Sequence, residues 1–141
     1  VSPHIVIGLH YGRIVGEPNA FDIVARHDVK ALVLVVVMPF YAEPGLYEVP
    51  DPHEVGRIFG AARTRLSDRQ VLLGCARPPG LHKRIVDAYA VMAGLDGIAF
   101  PADGAVSVAN SIGRPHHQEH ACCSIKLGAG GPVRVGRSCA A

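Results

Sequence analysis

The sequence has no tryptophan, four Tyr and four Phe among its 141 residues, and little imbalance of charge. Lys and Arg number 14 against 12 Asp and Glu, which leaves a formal net charge of +2. Proteins that bind nucleic acids usually concentrate basic residues on one face and interleave them with aromatic side chains. Neither feature is present, so we expect no nucleic-acid partner.

Long apolar runs and a cysteine framework are also missing. The longest apolar run, Ala31 to Met38, is far shorter than the roughly 20 residues that span a bilayer. The first residues, Val1 to His4, show neither the basic nor the apolar region of a signal peptide. Four cysteines in such a chain are typical of reduced thiols in a cytosol. We therefore expect a cytoplasmic protein with no membrane contact, and the abrupt apolar start suggests further residues upstream.

Short β-branched runs alternate with segments of helical periodicity along most of the chain. This alternation predicts an α/β fold of four consecutive βα units with a parallel sheet. Since the second run contains only Ala, Val and Leu, we expect both of its faces to be covered. The predicted strands are His4–Leu9, Ala31–Val37, Gln70–Cys75 and Gly97–Phe100, and the predicted helices begin near Glu17, Asp51, Leu81 and Ala105.

Two helices have clear end signals. Asp51, Pro52 and Glu54 combine an N-cap carboxylate, a proline in the first turn and an acid three residues after the cap. The helix from Leu81 to Ala93 is expected to end at Gly94, a residue suited to the left-handed conformation. Its periodicity predicts a buried face formed by Ile85, Ala88, Tyr89 and Met92.

The chain divides at about residue 113. Residues 1–113 hold the four βα units, which fit either an open sheet or half of a (βα)8 TIM-type barrel. Residues 114–141 form a Gly-rich tail, which we expect to be loosely ordered. The spacing of its His and Cys residues matches no paired zinc-ligand motif, so a solvated tail is favoured over a zinc site. These residues are His116, His117, His120, Cys122 and Cys123.

Polar and reactive side chains follow each predicted strand. Because the carboxyl ends of parallel strands share one edge, we expect the loops that follow them to converge on one rim. A thiol and a guanidinium, at Cys75 and Arg77, follow the third strand. The pattern predicts a substrate pocket lined by His10, Tyr11, Arg77 and Asp103.

Four segments of the chain carry a resemblance to a known family, namely Gly12–Glu17, Val35–Phe40, Val71–Arg77 and Ala93–Phe100. In this order and spacing, they resemble the C-terminal half of a radical S-adenosylmethionine enzyme of the biotin-synthase-like and lipoyl-synthase-like group. The first is similar to the Gly-x-Ile-x-Gly…Glu element after the fifth barrel strand of that family, and the others to its sixth, seventh and eighth strands. The resemblance covers roughly residues 3 to 112.

The resemblance implies a half-barrel that forms the adenosyl-side and substrate-side wall for radical chemistry, with sulfur insertion as one outcome. It implies that S-adenosylmethionine and a 4Fe–4S cluster serve the whole enzyme, with a small-molecule or carrier-bound substrate. The family's Cys-x-x-x-Cys-x-x-Cys loop is absent here, so we expect the chain alone to be inactive and to need the missing N-terminal half-barrel or a self-associating partner. The residues implied near the adenosyl group are Gly12, Ile14, Gly16, Glu17, Pro39 and Phe40.

The remaining cysteines allow a second hypothesis. Cys75, Cys122 and Cys123 would ligate an auxiliary iron–sulfur cluster, as thiolates do elsewhere. Biotin synthase itself is disfavoured because Leu72 stands where its cluster arginine is expected. Two other readings stay open, namely a small barrel lyase or isomerase using His10 and Tyr11 as acid–base groups, and a non-catalytic half-barrel subunit.

Overall fold

The computed structural model describes residues 1–119 and, for its backbone, the strand at 133–136. None of the described helices is both long enough and apolar enough to cross a bilayer. The elements, in chain order, are β1 (His4–Ile7), α1 (Glu17–Ala25), β2 (Ala31–Val36), α2 (Pro52–Arg65), β3 (Gln70–Leu73), α3 (Leu81–Ala93), β4 (Gly97–Ala99), α4 (Ala105–Ser111), β5 (His116–Glu119) and β6 (Val133–Gly136).

The strands form one parallel sheet in the order β1-β2-β3-β4-β6-β5. The first four strands are neighbours in chain order, and a helix follows each of them, which confirms the predicted α/β fold with four consecutive βα units. Parallel strands need such crossover connections because a tight hairpin can join only antiparallel neighbours.

The tail differs from its prediction over the part that is described. Where the sequence predicted a loosely ordered segment from residue 114, the backbone of β5 and β6 pairs in parallel and extends the sheet beyond β4. The polar composition of β5, His-His-Gln-Glu, lacks the apolar periodicity that identifies a strand in a sequence. The rest of the tail lies outside the described residues.

One face of the sheet packs against all four helices. The main core contains Leu32, Leu34 and Val36 from β2 together with Phe21 of α1 and Ala109 of α4. The intervening residues of β2, Ala31 and Val33, pack with Leu72 on the opposite face. The Val/Leu run of β2 is therefore buried on both faces, as its composition predicted.

The helix-end signals of the sequence are confirmed. Asp51 caps α2 by accepting a hydrogen bond from the amide of His53 at 3.0 Å, and Gly94 ends α3 in the left-handed conformation with φ +83°. The predicted buried face of α3 was wrong except at Tyr89, which is half-buried and packs against the main core. The helix instead buries Val86, Asp87, Ala90 and Val91.

An arginine–carboxylate pair holds the amino ends of β3 and β4, and we call Arg63 and Asp96 the amino-end clamp. Arg63 Nη1 donates to Asp96 Oδ2 at 2.6 Å, and its Nη2 donates to the carbonyls of Leu66 and Arg69. The same Asp96 oxygen accepts from the Val71 amide at 2.8 Å. The clamp thus ties the end of α2 to the start of β3 and β4.

Arg114 lies in the same neighbourhood. Its guanidinium donates to the carbonyls of Val91 and Leu95, and so caps the end of α3 after the chain has passed through α4. Burial lowers the pKa of Arg114, and the nearby carboxylate of Asp96 partly offsets that effect.

Candidate functional site

The loops that follow β1, β2, β3 and β4 lie at the carboxyl edge of the sheet, and we call this edge the rim. It is the edge at which parallel α/β folds place ligands, because each strand delivers a loop there. The loops comprise residues 8–16, 37–51, 74–80 and 100–104.

The first two rim loops pack directly on each other. The Glu48 amide donates to the Tyr11 carbonyl at 3.2 Å, and the rings of Tyr11 and Tyr47 lie 5.2 Å apart. Gly12 has φ +88°, and a Cβ there would overlap the Glu48 carbonyl. Only glycine fits at this crossing, so the two loops form one surface.

Two rim residues other than glycine have positive φ. Tyr11 follows β1 with φ +55°, and Phe100 follows β4 with φ +48°. An aromatic residue in this region is strained, and such outliers concentrate at binding and catalytic sites. The strain therefore supports the rim as the place to look for function.

Glu17 fixes the shape of the first loop. Only 6% of this residue is exposed, and its two carboxylate oxygens accept hydrogen bonds from the amides of Gly8 and Val15, both at 2.8 Å. A carboxylate that accepts two backbone bonds has much of its hydrogen-bonding capacity already used. Its main role is to hold the loop in place.

An open groove of about 460 Å³ runs beside this loop at the outer edge of β1, and we call it the β1 groove. A Cβ placed on Gly16 would meet nothing within 4 Å, so the backbone is accessible there. Most of the wall is apolar. The lining residues are Ile5, Val6, Leu9, His10, Val15, Gly16, Glu17 and Ala20.

The structure does not bring together the six residues that the resemblance implies near an adenosyl group. Gly16 and Glu17 line the β1 groove, whereas Gly12 is occupied by its contact with Glu48. Ile14 packs against the main core. Pro39 and Phe40 belong to the second loop, where Phe40 is exposed and Pro39 is half-buried.

Arg77 is not a pocket residue, which corrects the sequence-based interpretation. It forms a buried ion pair with Asp87, with both side chains fully inaccessible, and we call this pair the carboxyl-end clamp. Nε and Nη2 of Arg77 donate to the two Asp87 oxygens at 2.6 and 3.0 Å. Arg77 also donates to the carbonyls of Gly74, Ala99 and Phe100.

The carboxyl-end clamp joins two rim loops. Arg77 donates to the carbonyl of Gly74, which precedes Cys75, and to the carbonyl of the strained Phe100. Asp87 Oδ2 also accepts a hydrogen bond from the Ala102 amide at 2.6 Å. Sequence reasoning missed Asp87 because it assigned the wrong face of α3. The signal in the sequence is that Asp87 lies on the same helix face as Val86, Ala90 and Val91. If that face is buried, its carboxylate needs a buried cation as partner.

The other predicted site residues stand apart from the clamp. His10, Tyr11, Cys75 and Asp103 are all exposed on the rim loops. Asp103 lines an open cavity of about 430 Å³ together with Lys83 and Arg84. Cys122 and Cys123 lie outside the described residues, and among the described residues no three His, Cys, Asp or Glu side chains are placed to hold a metal ion.

Comparisons with known proteins add nothing to this geometry. No protein-family model matches the chain, and neither a curated protein nor a solved structure matches it significantly.

Proposed function

We propose that the chain is the C-terminal part of a radical S-adenosylmethionine enzyme and supplies the adenosyl-side and substrate-side wall of its barrel. The parallel order β1-β2-β3-β4, with the helices on one face, is the arrangement that a (βα)8 barrel repeats twice, and it supports a half-barrel in which the β6–β5 pair occupies the outer edge of β4. The four resembling segments lie on these strands and their rim loops.

The β1 groove is the observation that carries the proposal. It contains Gly16 and Glu17, two of the six residues that the resemblance implies near the adenosyl group, and it combines an accessible backbone at Gly16 with an apolar wall that includes Leu9 and Val15. Nucleoside sites use this combination, since a planar base packs on apolar side chains while backbone groups approach its polar edge. Glu17 holds the loop in one shape before any ligand arrives.

The chain's own residues fit the two implied cofactors differently. The β1 groove has the size and character for the adenosyl part of S-adenosylmethionine. The described residues include no ligand set for a 4Fe–4S cluster, so the radical-generating cluster belongs to another polypeptide segment in this proposal. The contribution of this chain is to bind and orient the nucleoside.

Calorimetric titration of the cluster-free chain with S-adenosylmethionine tests the proposal. Gly16→Leu places a side chain in the β1 groove at a position where the fold has room, and we expect it to abolish saturable binding. Gly60→Leu is the matched control, because a Cβ there also meets nothing within 4 Å but lies on α2 away from the groove. No saturable binding to the wild-type chain, or equal binding to both variants, would refute the nucleoside site.

A non-catalytic half-barrel subunit is the second candidate, and the free edge of β1 favours it. The amides of Val33 and Val37 donate to the carbonyls of Pro3 and Ile7, so alternate residues of this segment direct their backbone groups towards β2. The backbone groups of the intervening residues, His4 and Val6, therefore point away from β2. No described element pairs with that edge. A stable complex with a partner, without any S-adenosylmethionine binding, distinguishes this candidate from the first.

A further inference from the structure

The last two strands occupy the outer edge of β4. β6 pairs with β4 through three residue pairs, in which Ile98 and Val135 are the central partners, and β5 pairs with the far side of β6. We call β6 and β5 the edge cap. At the other end of the sheet no described element pairs with β1. One edge of the four βα units is therefore covered by the chain itself, and the other is free.

A barrel needs the edge that the cap covers. In a closed barrel each strand has a neighbour on both sides, so half of a (βα)8 barrel has to offer the outer edges of its first and its fourth strand. Here only the outer edge of β1 is free. The inference therefore rests on the half-barrel part of the proposed function, and not on the binding of S-adenosylmethionine. The edge cap and a second half-barrel exclude each other at β4.

The face of the sheet that points away from the helices suits a barrel interior. It carries Ala31, Val33 and Leu72 in one cluster, with Val35 packed against them. Branched apolar side chains of this kind dominate the interior of (βα)8 barrels. A second half-barrel would bring equivalent apolar side chains to this face, whereas β5, with the sequence His-His-Gln-Glu, has none to contribute.

A second copy of the chain offers the strand that matches β4. Its β1 has a free outer edge, and a two-fold rotation about the barrel axis brings β1 of each copy beside β4 of the other. This rotation does not reverse the direction of the strands along the axis, so all of them stay parallel, as they are within each copy. Both edges of both copies are then paired, and the assembly closes at two copies.

We propose that the edge cap is removable, and that β1 of a second copy takes its place on β4 to close an eight-stranded barrel of two halves. With the cap in place the chain stays monomeric, because the edge of β4 is occupied. The ladder between β4 and β6 has only three residue pairs, so its release breaks few hydrogen bonds, and pairing with β1 replaces them. The cap acts as an autoinhibitory contact of the sheet edge.

Two prolines in β6 test the cap in the full chain. Alternate amides of β6 serve its two neighbours, so Arg134→Pro with Val135→Pro removes a hydrogen bond on each side. We expect hydrogen exchange of the β4 amides that face β6 to rise by about tenfold or more, while the β2 amides stay protected. Sedimentation velocity over a concentration series should show a monomer for the wild type and a dimer for the variant. Arg134→Thr with Val135→Thr is the matched control and should behave as the wild type, because it keeps both amides in residues that suit strands.

A third proline tests the partner strand. The backbone groups of Val6 point away from β2, so Val6→Pro removes an outward amide and leaves the ladder between β1 and β2 intact. Added to the double-proline variant, it should return the chain to a monomer.

Four outcomes overturn the proposal. They are a wild-type chain that dimerises as readily as the double-proline variant, a double-proline variant that stays monomeric, one that loses protection in β2 as well, and a triple variant that still dimerises. A failed titration with S-adenosylmethionine would refute the nucleoside site and leave these outcomes unchanged.

Discussion

Two arginine–aspartate clamps hold opposite ends of β3 and β4, and they differ mainly in their exposure to water. Both side chains of the carboxyl-end clamp are fully buried, whereas Arg63 and Asp96 of the amino-end clamp are 21% and 35% exposed. In each clamp the guanidinium also binds backbone carbonyls, and the carboxylate also accepts a backbone amide. The chemical parts are the same at both ends.

The difference in exposure gives the two clamps different consequences. A buried ion pair has to satisfy nearly all of its own hydrogen-bonding capacity, and breaking it leaves a charge that water cannot reach. The amino-end clamp keeps access to water, which compensates for a lost partner. We therefore expect the loss of one partner to cost more free energy of unfolding in the carboxyl-end clamp than in the amino-end clamp.

Removing the buried carboxylate should have the largest effect. We expect Asp87→Ala to lower the free energy of unfolding by about 3–5 kcal/mol, because Arg77 stays buried without its partner. Urea denaturation measures the change. The double variant Arg77→Met, Asp87→Leu should recover part of it, and a double variant less stable than Asp87→Ala would contradict our account of the unpaired charge.

The matching change at the other end should cost less. We expect Asp96→Ala to lower the free energy of unfolding by about 1–2 kcal/mol, since the Val71 amide and Arg63 lose one acceptor but Arg63 keeps its carbonyl partners and some water. The same urea series measures it. A loss equal to that of Asp87→Ala would show that exposure does not separate the two clamps.

Hydrogen exchange should locate each effect. In Asp87→Ala the Ala102 amide loses its acceptor, and we expect its exchange to rise by about tenfold relative to the Val71 amide, which corresponds to roughly 1.4 kcal/mol. In Asp96→Ala the order should reverse. Equal acceleration of both amides in both variants would mean that the clamps act only on global stability.

The pair of Arg69 with Asp68, whose carboxylate is 67% exposed, provides the lower end of the scale. The hydrogen bond from Arg69 lowers the pKa of the Asp68 carboxyl below its ordinary value of 3.8. A lowered folded-state pKa stabilises the protein above the unfolded value, and the contribution is lost as the pH falls through the folded-state value. We expect Asp68→Asn to change the melting temperature only slightly at pH 7 and not at all below the folded-state pKa, and melting curves across this range test it. A variant as damaging as Asp96→Ala would contradict the ranking.

The sequence predicted those features of the fold that depend on local pattern. The Val/Leu run of β2, the cap at Asp51 and the glycine at residue 94 each follow from backbone chemistry within a few residues. The buried face of α3 did not follow, because the helix has two apolar sides and periodicity does not tell which of them meets the sheet. β5 was missed because nothing in its polar sequence marks it as a strand.

The candidate site was less predictable than the fold. Rim positions such as Tyr11 and Asp103 follow from the ends of the strands, and they were predicted. The burial of Arg77 depends on a carboxylate ten residues away on another element, and the positive φ of Tyr11 and Phe100 depends on contacts between loops. Such long-range causes leave only weak traces in a single sequence.

The strand order also determines when the sheet can be completed during synthesis. β5 is made before β6, yet its hydrogen-bonding neighbour in the sheet is β6, which lies between it and β4. The first four strands can pair as they leave the ribosome, but β5 must wait until residues 133–136 have emerged. Ribosome-bound chains that stop short of this segment should therefore have β1 to β4 paired while β5 is still unattached.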